Sequence, residues 1–168
     1  MGSKRVGLAR TQALIETLKR ELSLEGTTLL GQLRKVKTTS AATTLTNADS
    51  GALIDATGGA YDINLPHDPM VGCTYTFTHS AAISGGRNID AKDGVHFFKG
   101  LCHDHQTATP VVVAFNGSSH DQFKIASGAD AHHTLVTITF IGSSTWLITE
   151  AYSHDISDIS AGTASGNG

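Results

Sequence analysis

The sequence predicts a mainly β protein, in which an antiparallel β-sandwich or jelly-roll-like domain follows an N-terminal α-helical arm. Two observations carry this prediction. Thr, Val, Ile and Phe occur in short alternating clusters between Gly, Asn, Asp and Pro turns, as half-buried strands require. Before these clusters, apolar residues recur at the spacing of a helix. Charged residues make up only 16% of the 168 residues. Disordered chains typically combine a high net charge with few β-branched residues, so neither the charge nor the β-branched clusters of this chain are typical of disorder.

The arm is predicted to extend over residues 1–37. Its apolar residues alternate at three- and four-residue spacings, which places them on one stripe of a helix. The stripe consists of Leu8, Thr11, Ile15, Leu18 and Leu22. An isolated helix of about 12–15 residues is marginal in water, so this stripe needs a cover. Three copies could form a short coiled coil, the stripe could dock on a partner, or it could pack on its own β domain.

The rest of the chain divides into a polar linker at 38–48, a β domain at 49–152 and a polar tail at 153–168, which is expected to be mobile. The β domain starts at the turn signal Asp49-Ser50-Gly51. The predicted strands are 52–56, 60–65, 73–80, 87–91, 95–99, 110–115, 122–126, 134–141 and 145–152. Turns such as Asn116-Gly117 suggest antiparallel hairpins.

Charge is distributed unevenly along the chain. Up to Lys37 there are eight Lys/Arg and three Glu, whereas the remainder has four Lys/Arg and twelve Asp/Glu. This basic arm has no aromatic residue for base stacking, so an acidic protein surface is expected as its target rather than nucleic acid. The sequence has no apolar run of about 20 residues and no apolar signal-peptide core near its start. We therefore expect no membrane binding. We also expect that the chain is synthesised in the cytoplasm.

The nine histidines favour a metal site as an alternative. In the run Cys102-His103-Asp104-His105, the two imidazoles would project from one side of a strand, and His132 or His133 could add a third. Such His and carboxylate sets bind zinc or iron. The spacing that defines a cupin or a zinc finger is missing, so we expect no metal and no cofactor. Surface histidines at subunit contacts are the simpler interpretation.

Catalytic motifs are absent from the sequence, including the nucleophile elbow, the P-loop and H-E-x-x-H. Asp49, Asp55 and Asp62 could form a glycosidase-like pair, but Asp beside Gly or Ser is more often part of a turn. The single tryptophan, Trp146, is expected to be a core or interface anchor. Cys73 and Cys102 are expected to be buried free thiols. No catalytic residue is predicted.

Three segments resemble β modules of virion structural proteins from tailed bacteriophages. They are LTNADSGALIDATGGAYDINLP, GCTYTFTHS and ITFIGSSTWLITEAY, which cover about residues 45–65, 72–79 and 138–152. In those modules, an L-T-x-x-D-S-G turn leads into a strand, a Leu-Pro and then G-x-x-Y/F-x-F. The arm sequence RVGLARTQALIETLKREL is similar to leader segments of small capsid-associated proteins.

The resemblance implies a head decoration, or cement, protein that binds the outer capsid surface as a homotrimer and contacts the major capsid protein. The expected location is the surface of the phage head, after assembly in the host cytoplasm. The expected subunit or capsid contacts are Lys4, Arg5, Leu8, Arg10, Ile15, Leu18 and Leu22. Two alternatives are a tail or head fibre that binds a receptor, and a cupin-like metalloenzyme that uses His103, His105 and His132 or His133.

Overall fold

The computed structural model describes residues 11–12, 34–80, 84–91, 95–104, 112–126, 134–153 and 159–162. The chain forms two compact units, Met1–Leu33 and Arg34–Gly168. Of the first unit only Thr11 and Gln12 are described, and both have helical backbone geometry. Within the described ranges, no helix has the length and apolar character needed to cross a membrane.

The second unit is mainly β. In chain order, its described strands are β1 (Val36–Thr39), β2 (Thr43–Thr44), β3 (Leu53–Ala56), β4 (Tyr61–Asn64), β5 (Thr74–Thr78), β6 (Arg87–Asp90), β7 (Phe97–Asp104), β8 (Val112–Asn116), β9 (Gln122–Ile125), β10 (Leu135–Gly142), β11 (Thr145–Ser153) and β12 (Ile159–Gly162). A 3₁₀ turn, Asn47–Asp49, lies between β2 and β3. The larger sheet has the order β1-β3-β5-β10-β11-β7-β8 and the smaller sheet β12-β9-β6-β4-β2.

From β1 to β6 the chain alternates between the two sheets, so that it winds through three turns. In the larger sheet, β1, β3 and β5 pair in parallel, and in the smaller sheet β2, β4 and β6 do the same. Parallel neighbours need a crossover connection, and here a strand of the other sheet provides it. Equivalent residues therefore stack one turn apart. The Leu45 N–H donates to the Asn64 carbonyl at 2.8 Å, and the Leu65 N–H donates to the Asp90 carbonyl at 2.8 Å.

The later strands extend both sheets, mostly with antiparallel pairs. In the smaller sheet, β9 pairs with β6 and β12 pairs with β9. In the larger sheet, β10 is antiparallel to β5 and to β11, β11 is parallel to β7, and β8 is antiparallel to β7. We call β7, β8, β10 and β11 the appended strands. They add four strands to the three that the winding contributes to the larger sheet.

One hydrophobic core joins the two sheets. Phe123 of β9 stacks on Phe115 of β8, with ring centroids 5.0 Å apart, and lies 6.4 Å from the ring of Phe98 on β7. Trp146 of β11 is completely buried, 5.8 Å from the ring of Tyr75 on β5. Full burial of a large apolar side chain contributes about 1.5–3 kcal/mol. The core aromatics therefore account for a large part of the force that holds the sheets together.

Gly100 allows β7 to pass close to β11. Its φ is +144°, and a Cβ atom at this position would lie 2.8 Å from Cβ and 2.9 Å from the carbonyl oxygen of Ile148. Only glycine combines this backbone conformation with so close an approach. The close contact between the two strands thus depends on one residue.

The structure confirms the mainly β prediction, and strands β3 to β11 each overlap a predicted strand. The prediction of an antiparallel domain was wrong in part, because both sheets are mixed. The predicted boundaries also differ from the observed ones. The β unit begins at Arg34, so residues 34–37 lie in it rather than in the arm. The linker contains β2 and part of β1, and the tail contains β12. These strands are too short or too polar to show alternation.

Candidate interaction surfaces

The solvent-facing side of the appended strands is unusually apolar. Side chains along a strand alternate between the core and solvent, and a sheet with one side in water normally places polar residues on that side. Here, the apolar residues at the solvent-facing positions are Leu101, Val112, Ala114, Leu135, Ile141, Leu147 and Tyr152. We call the solvent-facing positions of β7, β8, β10 and β11 the outer face. This departure from the usual pattern identifies it as a candidate interaction surface.

Strand register makes the apolar side chains of the outer face neighbours. Leu101 of β7 lies directly opposite Ala114 of β8. His103 pairs with Val112 on one side and with Tyr152 of β11 on the other. Directly paired side chains have Cβ atoms about 4.5–5.5 Å apart, so these residues form a continuous patch. The exposed histidine lies within this patch.

Opposite charges occur on adjacent strands of the outer face. Lys99 lies on β7 and Glu150 on β11, and both side chains are exposed. In the described part of this face, they are the charged residues in a surface that otherwise consists of apolar, Thr, Asn and His side chains. Glu150 is on the side towards β10, and Lys99 is on the side towards β8. The two halves of the face therefore carry opposite charges.

A second apolar cluster lies at one end of the larger sheet. The Gly72 N–H donates to the Phe140 carbonyl at 2.8 Å, which places the loop before β5 beside the end of β10. The Phe97 N–H donates to the Ser144 carbonyl at 2.9 Å, so the segment before β7 lies beside the β10–β11 turn. The large exposed apolar residues on these segments are Met70, Val71, Val95 and Ile141. We call these four residues the apolar tip.

The exposure of the apolar tip is high for such side chains. Met70 is 67% exposed and Val71 is 74% exposed. Single exposed apolar residues are common on proteins, but a group of them on neighbouring loops marks an interaction site. The tip is also close to backbone strain. Ser143 and Ser144 form the two-residue turn between β10 and β11 with φ of 49° and 58°, a conformation in which Asn and Gly are preferred. Such strain frequently occurs at functional sites.

Asp49 forms a polar cluster at the first turn of the winding. It accepts hydrogen bonds from Lys37 Nζ at 2.9 Å and Lys35 Nζ at 3.2 Å, and from both the backbone N–H and the hydroxyl of Thr46 at 3.1 Å. Burial by itself would raise the pKa of Asp49, but these hydrogen bonds outweigh it and hold the pKa well below its usual range. The carboxylate therefore joins β1 to the 3₁₀ turn as a structural contact.

Arg87 is completely buried at a second polar cluster. Its guanidinium donates to the carbonyls of four glycines in two turns and lies 4.1 Å from the centre of the Tyr61 ring. The glycines are Gly58, Gly59, Gly85 and Gly86. These two turns lead into β4 and β6, which are parallel neighbours. Arg87 therefore ties successive turns of the winding together.

All seven contact residues predicted from the sequence lie outside the described residues. These are Lys4, Arg5, Leu8, Arg10, Ile15, Leu18 and Leu22, and the same holds for His105, His132 and His133 of the alternative metal site. His103 is described and is exposed on the outer face. Within the described ranges, no group of three or more His, Cys, Asp or Glu side chains could hold a metal ion.

The candidate carboxylates have separate structural partners. Asp49 binds two lysines, Asp55 accepts hydrogen bonds from the Ser80 N–H at 2.7 Å and hydroxyl at 2.6 Å, and Asp62 accepts one from Asn88 at 2.8 Å. The turn interpretation is right for Asp49. The other two aspartates lie in β3 and β4.

The two cysteines and the tryptophan agree with their predictions. Cys73 and Cys102 are buried free thiols. The Cys73 thiol donates to the Tyr75 hydroxyl at 3.0 Å, and that hydroxyl donates to the Thr46 carbonyl at 2.8 Å. Burial and the neighbouring thiol raise the pKa of Tyr75 far above its usual value, which keeps the phenol neutral. Trp146 is a core residue.

Neither candidate surface was predicted from the sequence. The alternation in β7 and β10 shows which side chains share a face, but the apolar residues of the outer face come from four strands that are brought together only by the fold. The apolar tip combines residues from two loop segments and from the end of β10. Adjacent Met70 and Val71 in a turn segment are the one local signal that could have indicated it.

Comparison with known proteins gives no family for this chain. A scan against protein-family models found no match. A search of curated proteins also found no match.

Proposed function

We propose that this chain is a structural module of a tailed-bacteriophage virion that binds the outer surface of the head as a trimer and stabilises the capsid. In this proposal, the β unit is a sandwich-like body, and the N-terminal helical arm adds contacts to a neighbouring subunit or to the capsid. The proposed partner is the major capsid protein. The phage assignment rests on the sequence resemblance of residues 45–65, 72–79 and 138–152.

The observation that carries the proposal is the apolar tip. A module that only needs to remain soluble gains nothing from large apolar side chains on neighbouring loops, whereas a module that docks on another protein gains buried area. Each tip side chain that becomes buried contributes roughly 1 kcal/mol, since it is already partly covered in the free chain. Three such side chains supply about 3 kcal/mol, which corresponds to roughly a hundredfold in affinity.

Attachment at three points explains how modest contacts can hold. If each copy of a trimer presents one tip and one basic arm, the second and third contacts form at high effective concentration. In each copy, the arm carries a net positive charge and the β unit a net negative charge. Because the arm is basic, it favours acidic protein surfaces. A capsid requires such extra contact area more than it requires chemistry.

The test measures occupancy on capsid shells assembled from the major capsid protein of the same genome. The variant with both Met70→Asp and Val71→Asp changes two exposed tip residues that lie outside the outer face, and it should bind at least tenfold more weakly than the unaltered chain. The control is Val36→Asp, which changes another exposed valine, on β1. Equal occupancy of all three proteins would exclude the tip from attachment. Absence of any binding by the unaltered chain would contradict the proposed function.

The fibre alternative predicts a different result in the same experiment. A receptor-binding module would leave shells bare but would bind host cells, and tip variants would lose that binding. We favour the head position because the arm resembles leader segments of capsid-associated proteins.

A further inference from the structure

We propose that the outer face is the surface through which copies of this chain contact each other. This inference rests on the proposed function for the number of copies, three, while the contact itself is argued from the β unit. In this arrangement, the outer faces of the copies turn towards a common axis. The β10–β11 half of one copy meets the β7–β8 half of the next.

The outer face has the area that such contacts need. Four strands about 4.8 Å apart, with about eight residues of about 3.3 Å each, give a face of about 500 Å² in plan. Protruding side chains have more accessible surface than the plane beneath them, which brings each face to roughly 600 Å². In the ring, half of each face meets each neighbour, so one contact buries about 600 Å² and the closed trimer buries about 1,800 Å², within the range of about 1,200–2,000 Å² for a specific interface. The three contacts together are therefore large enough to hold a trimer.

The composition of the outer face also favours a contact between copies. Leu101, Val112 and Tyr152 are between 42% and 52% exposed and belong to a continuous patch. An interface centre is depleted in charged residues and enriched in aromatic ones, and the patch around His103 has this character. Its Tyr side chain provides a large contact area with few rotatable bonds.

The charges of the outer face favour a second copy of the chain as the partner. Glu150 is in the β10–β11 half and Lys99 is in the β7–β8 half. In a ring where unlike halves meet, each Glu150 faces the Lys99 of the next copy, and like charges do not face each other. If the outer face met an unrelated acidic or basic surface instead, either Glu150 or Lys99 would face a charge of the same sign. A second copy of the chain satisfies both.

Sedimentation velocity of the full chain tests the inference. The unaltered chain should sediment as a trimer, and Leu101→Glu should produce monomers because it adds a charge to the centre of the contact. Lys99→Glu and Glu150→Lys should each raise the dissociation constant at least tenfold. The double variant with both changes should restore assembly, since the opposite charges then face each other again. Asp68→Lys, an exposed change in the loop before β5, is the control and should sediment like the unaltered chain.

Far-ultraviolet circular dichroism and Trp146 fluorescence establish that each variant is folded, and the charge pair keeps the test decisive if Leu101→Glu does not fold. The inference is wrong if the unaltered chain is monomeric at high concentration, if the single charge variants assemble normally, or if the double variant fails to recover. A chain that assembles through this face yet leaves capsid shells bare would contradict the proposed function alone. A chain that binds shells but whose charge variants assemble normally would contradict this inference alone.

Discussion

Replacing Asp49 by asparagine tests whether the polar cluster at the first turn stabilises the β unit. The Asn side chain keeps one oxygen for the Thr46 contacts but loses the negative charge that faces two lysines. The Lys37 side chain is 29% exposed and the Lys35 side chain 60%, so most of the effect should come from Lys37. Hydrogen bonds to charged groups contribute about 1.5–3 kcal/mol, and we expect Asp49→Asn to lower the free energy of unfolding by about 2 kcal/mol at pH 7.

The pH dependence of this difference has a defined direction. The folded state lowers the pKa of Asp49, because hydrogen bonds from the two lysines and Thr46 outweigh the effect of burial. A carboxyl with a lowered pKa contributes its full stability above its unfolded pKa of about 4, and this contribution is lost as the pH falls through the folded value. The difference between Asp49→Asn and the unaltered chain should therefore be constant from about pH 7 to pH 5 and should shrink below about pH 4.

Urea denaturation measures this directly, with the buried Trp146 as the fluorescence probe. For an m-value of about 2 kcal/mol per molar, the expected shift of the midpoint at pH 7 is about 1 M. Asp68→Asn is the matched control, because it removes an exposed carboxylate from a loop, and its midpoint should hardly change. The reasoning fails if Asp49→Asn matches the unaltered chain at pH 7, or if the loss is as large at pH 3 as at pH 7.

Three further changes test other parts of the structure. Gly100→Ala should lower the free energy of unfolding by about 2–4 kcal/mol in the same urea assay, because the added Cβ would overlap Ile148 at a φ that favours glycine. The control is Gly59→Ala, which should lower it much less because the added Cβ would lie in open space. Arg87→Lys cannot donate to two glycine turns at once, so we expect a loss of about 2–3 kcal/mol by thermal unfolding, and an unchanged midpoint would disprove the role of the guanidinium. Deletion of residues 1–25 should lower occupancy on capsid shells, and unchanged occupancy would remove the arm from the mechanism.

The sequence was sufficient to predict where most strands lie, because local patterns define a strand. In β5, Thr74, Thr76 and Thr78 alternate with apolar side chains, and Tyr75 and Phe77 are buried as the pattern requires. Turn residues identify the ends of such segments equally well. This information concerns neighbours along the chain, and it does not say which strand pairs with which.

Pairing was the part that local patterns could not supply. A Gly-Gly turn looks the same whether the chain returns to the same sheet or crosses to the other one, so the prediction of hairpins missed the parallel winding. β1 was missed for a related reason. Lys37 occupies the register position that Ile54 occupies in the next turn, and there its charge is matched by Asp49. From the sequence alone, Lys37 was assigned to the basic arm, because the sequence does not show that Asp49 is its partner.

The same lysine protects one edge of the larger sheet. β1 is an edge strand of that sheet, and it belongs to the first turn of the winding. An exposed edge with apolar residues would be a template for pairing with other chains, and an inward-pointing charge prevents this. In the proposed assembly, contact between copies is thereby directed away from this edge and towards the outer face. The appended strands carry the apolar residues that the proposed assembly needs.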